Sequence, residues 1–149
     1  MRTQFSSKCS IAVHCLIFIY EYGEDKKVTS ELLSLSTGCN PVTIRNIVSA
    51  MKKDGIIDMK FGTGGAKLAV PIQDISLYRI CAAVDPKVID KMIGVHSTPS
   101  PFCPIGRNIG SVLDRTYDTI KEDVISSMKS ITMVRIVNDY HATLNSNNK

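Results

Sequence analysis

The first strongly apolar segment of the chain predicts a buried helix. Residues 11–20 read "IAVHCLIFIY", with apolar side chains at almost every position. A helix that is apolar around most of its circumference lies inside a core. We expect it to begin after Ser6 or Ser7, whose hydroxyl groups suit a helix start, and to run to about Tyr22, where Gly23 ends it.

The next segment predicts a short second helix. "TSELLSLS" begins with two cap residues, Thr29 and Ser30, and Gly38 follows as a residue that permits a tight turn. We expect its leucines, Leu32, Leu33 and Leu35, to face inward.

The third helix has the clearest boundaries. Asn40 is a good N-cap, Pro41 suits the first helical position, and Gly55 marks the end after "MKKD". Apolar residues recur at the spacing i, i+3, i+4 and i+7, which predicts one buried stripe. This stripe consists of Ile44, Ile47, Val48 and Met51.

The opposite face of the third helix is polar and contains no acidic residue. Two helices joined by a tight glycine turn predict a helix-turn-helix, in which the second helix reads the major groove of DNA. The exposed face is predicted to comprise Val42, Asn46, Ser49 and Lys53, flanked by Thr43, Arg45 and Lys52.

The glycine-rich segment "GTGGAKLAV" lies between two short predicted strands, "IIDMK" and "AKLAV". A phosphate-binding loop of a nucleotide site runs instead from a strand into a helix, and usually carries Lys-Ser or Lys-Thr. The glycines therefore predict a hairpin turn. A hairpin after a recognition helix is a wing, and we expect Lys60, Thr63 and Lys67 to contact the DNA backbone or minor groove.

Further helices are expected in the second half. One covers "DISLYRICAAVD", with Asp74 or Ser76 as its cap and Pro86 as its stop, and a short one is expected around residues 88–93. After the loop "GVHSTPSPFCPIG" comes a long helix over about 104–131, then a last helix over about 132–140 and a frayed tail.

The long helix carries an apolar stripe that a small head cannot cover. We therefore expect it to pack on a second copy of the chain, as in a homodimer that reads two half-sites. The residues expected in this interface are Ile109, Leu113, Ile120, Val124 and Met128.

The charge distribution and the cysteines favour a cytoplasmic protein that binds nucleic acid. Residues 40–70 carry five cations against two anions, which accounts for most of the net charge of +4 over 149 residues. Five cysteines without regular spacing argue against a secreted disulfide framework. The apolar run at 11–20 is too short to span a bilayer and lacks a cleavage pattern, so we expect no membrane partner.

The order of these motifs resembles the Rrf2 family of bacterial winged-helix regulators, which includes iron–sulfur cluster, nitric-oxide and cysteine-metabolism repressors. The matching segments are "NPVTIRNIVSAMKKDGII", "GTGGAKLAV", "DISLYRICAAVD" and "CPIG". The wing of this family usually has a glycine-rich pattern with an aromatic residue, and Ala66 and Lys67 occupy those places in this chain.

The resemblance implies a homodimeric DNA-binding regulator, commonly a repressor, with an effector region between head and long helix. Its best-known members bind a [2Fe–2S] cluster through three cysteines there, whereas this chain has only Cys103. We therefore expect no cofactor and no metal. A cluster-dependent regulator that uses His96 or a ligand from the partner subunit stays an alternative.

The roles of individual residues leave alternatives open. Thr43, Arg45 and Asn46 either read bases or only contact phosphates. Base reading is favoured by side-chain chemistry, because Asn pairs well with adenine and Arg with guanine. The clustered lysines favour phosphate contacts. Cys103 precedes Pro104 at a helix start, where a thiolate is stabilised; it is either a regulatory thiol or a plain helix-start residue.

Taken together, the sequence predicts a mainly α fold with a small β-hairpin: a winged helix-turn-helix head and a long dimerisation helix. The expected divisions are 1–85 for the DNA-binding head, 86–103 for the effector region, and 104–149 for the dimerisation and C-terminal helices. The predicted function is a cytoplasmic repressor that binds a palindromic operator and responds to a redox or small-molecule signal. A protein-interaction winged helix is the alternative, and no catalytic constellation predicts an enzyme.

Overall fold

The computed structural model describes residues 6–60 and 64–149, which form six α-helices and one antiparallel hairpin. This confirms the predicted mainly α fold with a small hairpin. In chain order the elements are α1 (Lys8–Tyr22), α2 (Ser30–Thr37), α3 (Pro41–Lys53), β1 (Ile57–Lys60), β2 (Gly65–Leu68), a 3₁₀ turn (Ile72–Asp74), α4 (Leu77–Val84), α5 (Pro104–Ser130) and α6 (Met133–Asn147).

A single core is built around α1, as its apolar sequence predicts. One side of α1 contributes Cys15, Leu16 and Ile19, which have almost no exposed surface. The buried stripe of α3 meets them, and all four of its predicted members, Ile44, Ile47, Val48 and Met51, are buried. Burial of such side chains contributes about 1.5–3 kcal/mol each, so this contact fixes the orientation of α3.

The prediction for the leucines of α2 is wrong at one position. Leu33 is fully buried and Leu32 half-buried, but Leu35 is 81% exposed. Two residues along a helix correspond to about 200° of rotation, so Leu35 lies on the side opposite Leu33. A helix of eight residues packed on one side cannot bury both.

The last helix, α6, returns to the head. Met133 and Val137 are buried in the same core as α1 and α3. Two backbone hydrogen bonds join the start of α6 to the head. Leu77 N–H donates to Ile131 O at 2.8 Å, and Met133 N–H donates to Ile75 O at 2.9 Å.

This helix is also longer than predicted. It continues to Asn147 instead of ending near Tyr140, so residues 143–147 of the tail "TLNSNNK", which was predicted to be frayed, are helical. The physical reason is that no Gly or Pro interrupts this segment. His141 also bonds to Glu21 of α1.

The short helix expected around 88–93 is replaced by turns. The chain makes isolated bonds from Val88 N–H to Asp85 O and from Met92 N–H to Ile89 O, and a single helical one from Lys91 N–H to Lys87 O. One helical bond does not offset the entropy of nucleating a helix. Val88 is nevertheless buried and anchors this segment.

The long helix α5 begins at Pro104 as predicted, and none of its 27 residues is buried. Its length is about 40 Å, at 1.5 Å per residue. Its last turns lie against α4, where Lys129 Nζ is 5.0 Å from the centre of the Tyr78 ring. Within the part of the chain described here, no helix is both long and apolar enough to cross a membrane.

Candidate nucleic-acid interface

The turn between α2 and α3 is held by its own side chains. Gly38 adopts a left-handed conformation with φ 71°, which residues with a Cβ rarely adopt. Ser34 Oγ donates to Cys39 O at 2.6 Å, and Thr37 Oγ1 accepts from Cys39 N–H at 3.3 Å. These bonds fix the angle at which α3 leaves α2.

The start of α3 is capped as predicted. Asn40 Oδ1 accepts from Val42 N–H at 2.8 Å, and Pro41 occupies the first helical position. The cap satisfies one of the N–H groups that have no partner within the helix. Residues early in α3 are therefore held in a defined place, as base-reading residues must be.

The face of α3 opposite the core is open to solvent. Val42 is 56% exposed, and Thr43 is half-buried. The other predicted members of this face are exposed, namely Arg45, Asn46, Ser49, Lys52 and Lys53. The helix from Pro41 to Lys53 contains no acidic side chain, so this surface offers only amide, hydroxyl, apolar and cationic groups.

The end of α3 is bound to α4 through a pair that sequence reasoning missed. Arg79 Nε donates to Asp54 Oδ2 at 3.0 Å, and Arg79 Nη2 donates to the backbone oxygen of Asp54 at 3.1 Å. The guanidinium thus neutralises the acid at the end of α3. Arg79 is 25 residues away in sequence, and no local pattern points to this contact.

The hairpin after α3 has the register expected of a short wing. Asp58 lies opposite Lys67, and Lys60 lies opposite Gly65, so both lysines and Asp58 share one face. Ile57 and Ala66, on the other face, are buried. The exposed face of the wing therefore carries two cations and one anion.

Gly65 joins the wing to the head at a place where no side chain fits. Its φ is 64°, and a Cβ would lie 2.6 Å from the backbone nitrogen of Val28. The next residue, Ala66, donates its N–H to Val28 O at 2.8 Å. Gly65 thus permits a close approach of two backbone segments.

Two wing-side lysines have protein partners. Lys52 Nζ donates to Met59 O at 3.2 Å, which places the end of α3 beside β1. Lys67 Nζ lies 4.0 Å from Glu24 Oε2, and both side chains are well exposed. Thr63, also predicted to contact DNA, lies outside the described residues.

Cys103 is the N-cap residue of α5 and is exposed. The backbone N–H groups of Gly106 and Ile105 lower the pKa of its thiol below the usual value. A lower pKa raises the thiolate fraction at neutral pH, and the thiolate is the form of cysteine that reacts with oxidants.

The predicted interface residues of α5 follow one side of the helix. Ile120 is 39% exposed and Val112, beside the stripe, 64% exposed, while Ile109, Leu113 and Val124 are half-exposed. Met128 is placed differently, since it lines a cavity of about 200 Å³ with Ile125, Cys81 and Val88. The end of the stripe therefore faces the protein's own head.

Candidate metal ligands do not cluster among the residues that the structure describes. Among the described residues, no group of three His, Cys, Asp or Glu side chains could hold a metal ion. Cys15 is buried, and burial raises the pKa of its thiol to about 12. His14 bonds to Ser36 Oγ at 2.8 Å.

Comparison with known proteins places this arrangement in one family. Residues 5–139 match the Rrf2 model, described as an iron-dependent transcriptional regulator. YwnA of Bacillus subtilis strain 168, assigned as an HTH-type transcriptional regulator, is 31% identical over 133 residues, which are 89% of this chain and 96% of YwnA.

Solved structures agree with the fold. A protein of Lactobacillus plantarum assigned as a transcriptional regulator is similar with a TM-score of 0.73 and 26% identity, over 95% of this chain and 96% of that one. The oxidised form of Staphylococcus aureus CymR matches with a TM-score of 0.66 and 14% identity, over 92% and 96% of the two chains. A helix-turn-helix with a wing, the family match and these relatives lead to one conclusion: the chain belongs to the Rrf2 family of transcriptional regulators, and is not an enzyme.

Proposed function

We propose that the chain is a homodimeric repressor that reads a palindromic operator in double-stranded DNA. The observation that carries this is the exposed face of α3, which contains no acid while the opposite face is fully packed in the core. An acid-free polar face on a rigidly held helix suits the negatively charged major groove. The protein acts in the cytoplasm, where its DNA is.

Within this proposal, α3 and the wing have different tasks. Thr43, Arg45 and Asn46 lie in the first half of α3 and contact base edges. The cations further along, Lys52, Lys53, Lys60 and Lys67, contact phosphates, with Thr63. The exposed ion pair of Lys67 with Glu24, at 4.0 Å, contributes little to stability. Lys67 can therefore leave Glu24 and contact a phosphate when DNA binds.

The dimer is proposed from the surface of α5. None of the 27 residues of α5 is buried, and the part of its apolar stripe that precedes the turns lying against α4 stays at least partly exposed to water. Pairing with a second copy would bury Ile109, Leu113, Ile120 and Val124, at about 25 cal/mol for each Å² of apolar surface. Two heads related by a twofold axis then meet half-sites about 34 Å apart, which requires a palindrome.

Regulation is proposed to act through Cys103 without iron. The lowered pKa of this exposed thiol favours reaction with oxidants, and its sulfur lies where the loop 86–103 enters the dimerisation helix. Oxidation adds bulk at this junction and changes the separation of the two recognition helices. Cys39 of either subunit is the first candidate for a partner thiol.

An iron–sulfur cluster does not fit the donor set of this chain. Cluster iron takes four ligands, usually thiolates. Only Cys103 lies between residues 86 and 104, while Cys15 and Cys81 are buried in the head. A brown protein with cluster absorbance on isolation would contradict the iron-free proposal.

Selection of bound DNA from a random pool tests the main proposal. We expect recovered sequences to contain an inverted repeat with half-site centres about 10 base pairs apart or a multiple of that. Binding should weaken steeply as salt rises. A protein that is monomeric at micromolar concentration and enriches no sequence would refute the proposal and favour a protein-interaction role for the wing.

A further inference from the structure

A cavity of about 500 Å³ lies between α1, α2 and α6. Most of the residues that line it belong to α1, and Ser36 of α2 and Tyr140 of α6 complete the lining. Cys103 and the described residues proposed to contact DNA are not part of this lining. Cavities of roughly 300–1,000 Å³ hold small molecules in proteins, so this one is large enough for a ligand.

The wall that α1 contributes to the cavity is apolar and aromatic. Val13, Ile17 and Phe18 line it and are half-buried. The ring centres of Phe18 and Tyr22 are 4.9 Å apart, and Tyr140 lines the cavity from α6. Aromatic side chains pack favourably against further aromatic rings, so this wall suits a flat ring better than a sugar or a free phosphate.

Two polar pairs connect α1 to the other helices of the cavity. His14 Nε2 and Ser36 Oγ are hydrogen-bonded at 2.8 Å, and His141 of α6 bonds to Glu21. His14 and Glu21 are two turns apart on α1, which corresponds to about 10 Å along the helix. A molecule of one or two rings with a short polar arm can therefore contact the polar groups at both ends.

The charge of the cavity favours a cation. Among the described residues that line it, Glu21 is the only acid and none is Lys or Arg. A neutral His141 can donate a hydrogen bond to Glu21 without removing its negative charge. The rings attract cations as well, since Lys26 Nζ lies 4.7 Å from the centre of the Tyr22 ring.

We propose that this cavity is a binding site for a small aromatic amine. The ring of the ligand packs on Val13, Ile17 and Phe18, and its ammonium group donates to the carboxylate of Glu21. At the other end, Ser36 Oγ accepts a hydrogen bond from a donor on the ring, such as an indole N–H.

A ligand in this cavity would contact helices that lead to both functional parts of the molecule. Ser36 lies near the end of α2, directly before the turn that leads into α3. Tyr140 lies on α6, which follows the long helix α5 after only two residues. An effect of the ligand on DNA binding rests on the proposed function, whereas the binding site itself does not.

Indole compounds test the site on the full-length protein. The chain contains no tryptophan, so the fluorescence of an indole probe can be followed at wavelengths where the protein's tyrosines do not absorb. The probes are tryptamine, which is a cation, neutral indole, and the anion indole-3-propionate. We expect saturable binding of tryptamine, at least about tenfold tighter than that of indole, and the weakest binding for indole-3-propionate. Absence of saturation by tryptamine, or tighter binding of the anion, would overturn the proposal.

A matched pair of variants tests the role of Glu21. Glu21→Gln removes the charge but keeps the shape and an oxygen that can accept from His141. We expect it to weaken tryptamine binding at least about tenfold and to leave indole binding unchanged. Glu31→Gln removes the same charge from an exposed position in the first turn of α2 and should change neither. Unchanged tryptamine binding in Glu21→Gln, or an equal loss in both variants, would contradict the contact with Glu21.

Hydrogen–deuterium exchange of the wild type locates the bound tryptamine without any variant. Exchange should slow in α1, in the second half of α2 and in α6 around Tyr140, because the ligand contacts all three. Slowing confined to other segments would overturn the proposal. None of these measurements contains DNA, so a negative result leaves the proposed repressor function standing, and a protein that binds no DNA can still contain this site.

Discussion

At the scale of single residues, the proposed DNA contacts divide by chemistry. Asn46 presents an amide on the exposed face of α3, and an amide can bond to both edge groups of an adenine. Lys53 lies one helical turn from Ser49 near the end of α3 and carries a charge on a flexible stem. A charge of that kind contributes to binding without distinguishing sequences.

Substitution of these two residues should therefore have different effects. Asn46→Ala should reduce the discrimination at particular base pairs by about 1–3 kcal/mol, while Lys53→Ala weakens all sequences alike and lowers the salt slope by about one. The measurement is fluorescence anisotropy with operator and mismatched duplexes at several salt concentrations. Equal losses on every duplex from both variants would contradict this division.

Cys103 provides a second test at this scale. Because its pKa is lowered, the thiolate forms at lower pH than in an ordinary thiol, and the rate of alkylation by iodoacetamide should rise with a midpoint at lower pH. Mass spectrometry of the tryptic peptide 92–107 follows this rate. The same peptide in urea, where Gly106 and Ile105 no longer face the sulfur, is the control. Identical midpoints with and without urea would contradict this origin of the shift.

At the scale of elements, contacts distant in sequence set the position of α3 and the wing. Arg79 bonds twice to Asp54, and this ion pair is partly exposed, so its effect on stability is modest. Its effect on α3 is local, since it holds the end of that helix against α4. The wing is held in turn by the backbone contact of Gly65 with Val28.

Removal of the guanidinium should loosen the end of α3. Arg79→Ala should lower the free energy of unfolding by about 1 kcal/mol and weaken DNA binding more than this loss of stability explains. Arg135→Ala, which removes an exposed cation of α6, controls for net charge. Chemical denaturation and DNA titration provide the two quantities; equal DNA affinity for both variants would contradict a positioning role of Arg79.

Adjacent glycines of the wing provide a matched pair. Gly65→Ala should destabilise the protein by about 2 kcal/mol or more, because φ is positive and the new Cβ would collide with the backbone of Val28. Gly64→Ala should cost less, since its φ is not positive and its Cβ would meet only side-chain carbons of Lys60, the nearest being Cβ at 3.3 Å. Urea denaturation compares the two, and similar stabilities would show that this close approach is not required.

At the scale of the whole molecule, the proposed dimer depends on one side of α5. Ile120 lies within the stripe formed by Ile109, Leu113 and Val124, whereas Ser126 is exposed on the opposite side of the helix. A carboxylate buried among apolar side chains without a partner is costly.

A charge in this stripe should separate the subunits. Ile120→Glu should weaken self-association at least about 100-fold, and Ser126→Glu should leave it unchanged. Sedimentation velocity measures the association, and circular dichroism checks that the helix persists. A fully dimeric Ile120→Glu protein would place the interface elsewhere.

The sequence by itself determined the elements that local signals specify. The caps Thr29, Asn40 and Ser76 and the start at Pro104 are confirmed, because they act through neighbouring backbone groups. The buried stripe of α3 follows from the helical period alone. The family resemblance, carried by the order of these motifs, is confirmed as well.

Only the tertiary structure decided the contacts between distant segments. The Arg79–Asp54 pair and the return of α6 into the core join positions that no local pattern relates. The expected inward orientation of Leu35 and helix at 88–93 are wrong for the same reason. A hydrophobic side chain indicates only that a residue can be buried. The segments that pack against a short helix determine which of its sides is covered. They also determine whether a turn extends into a helix.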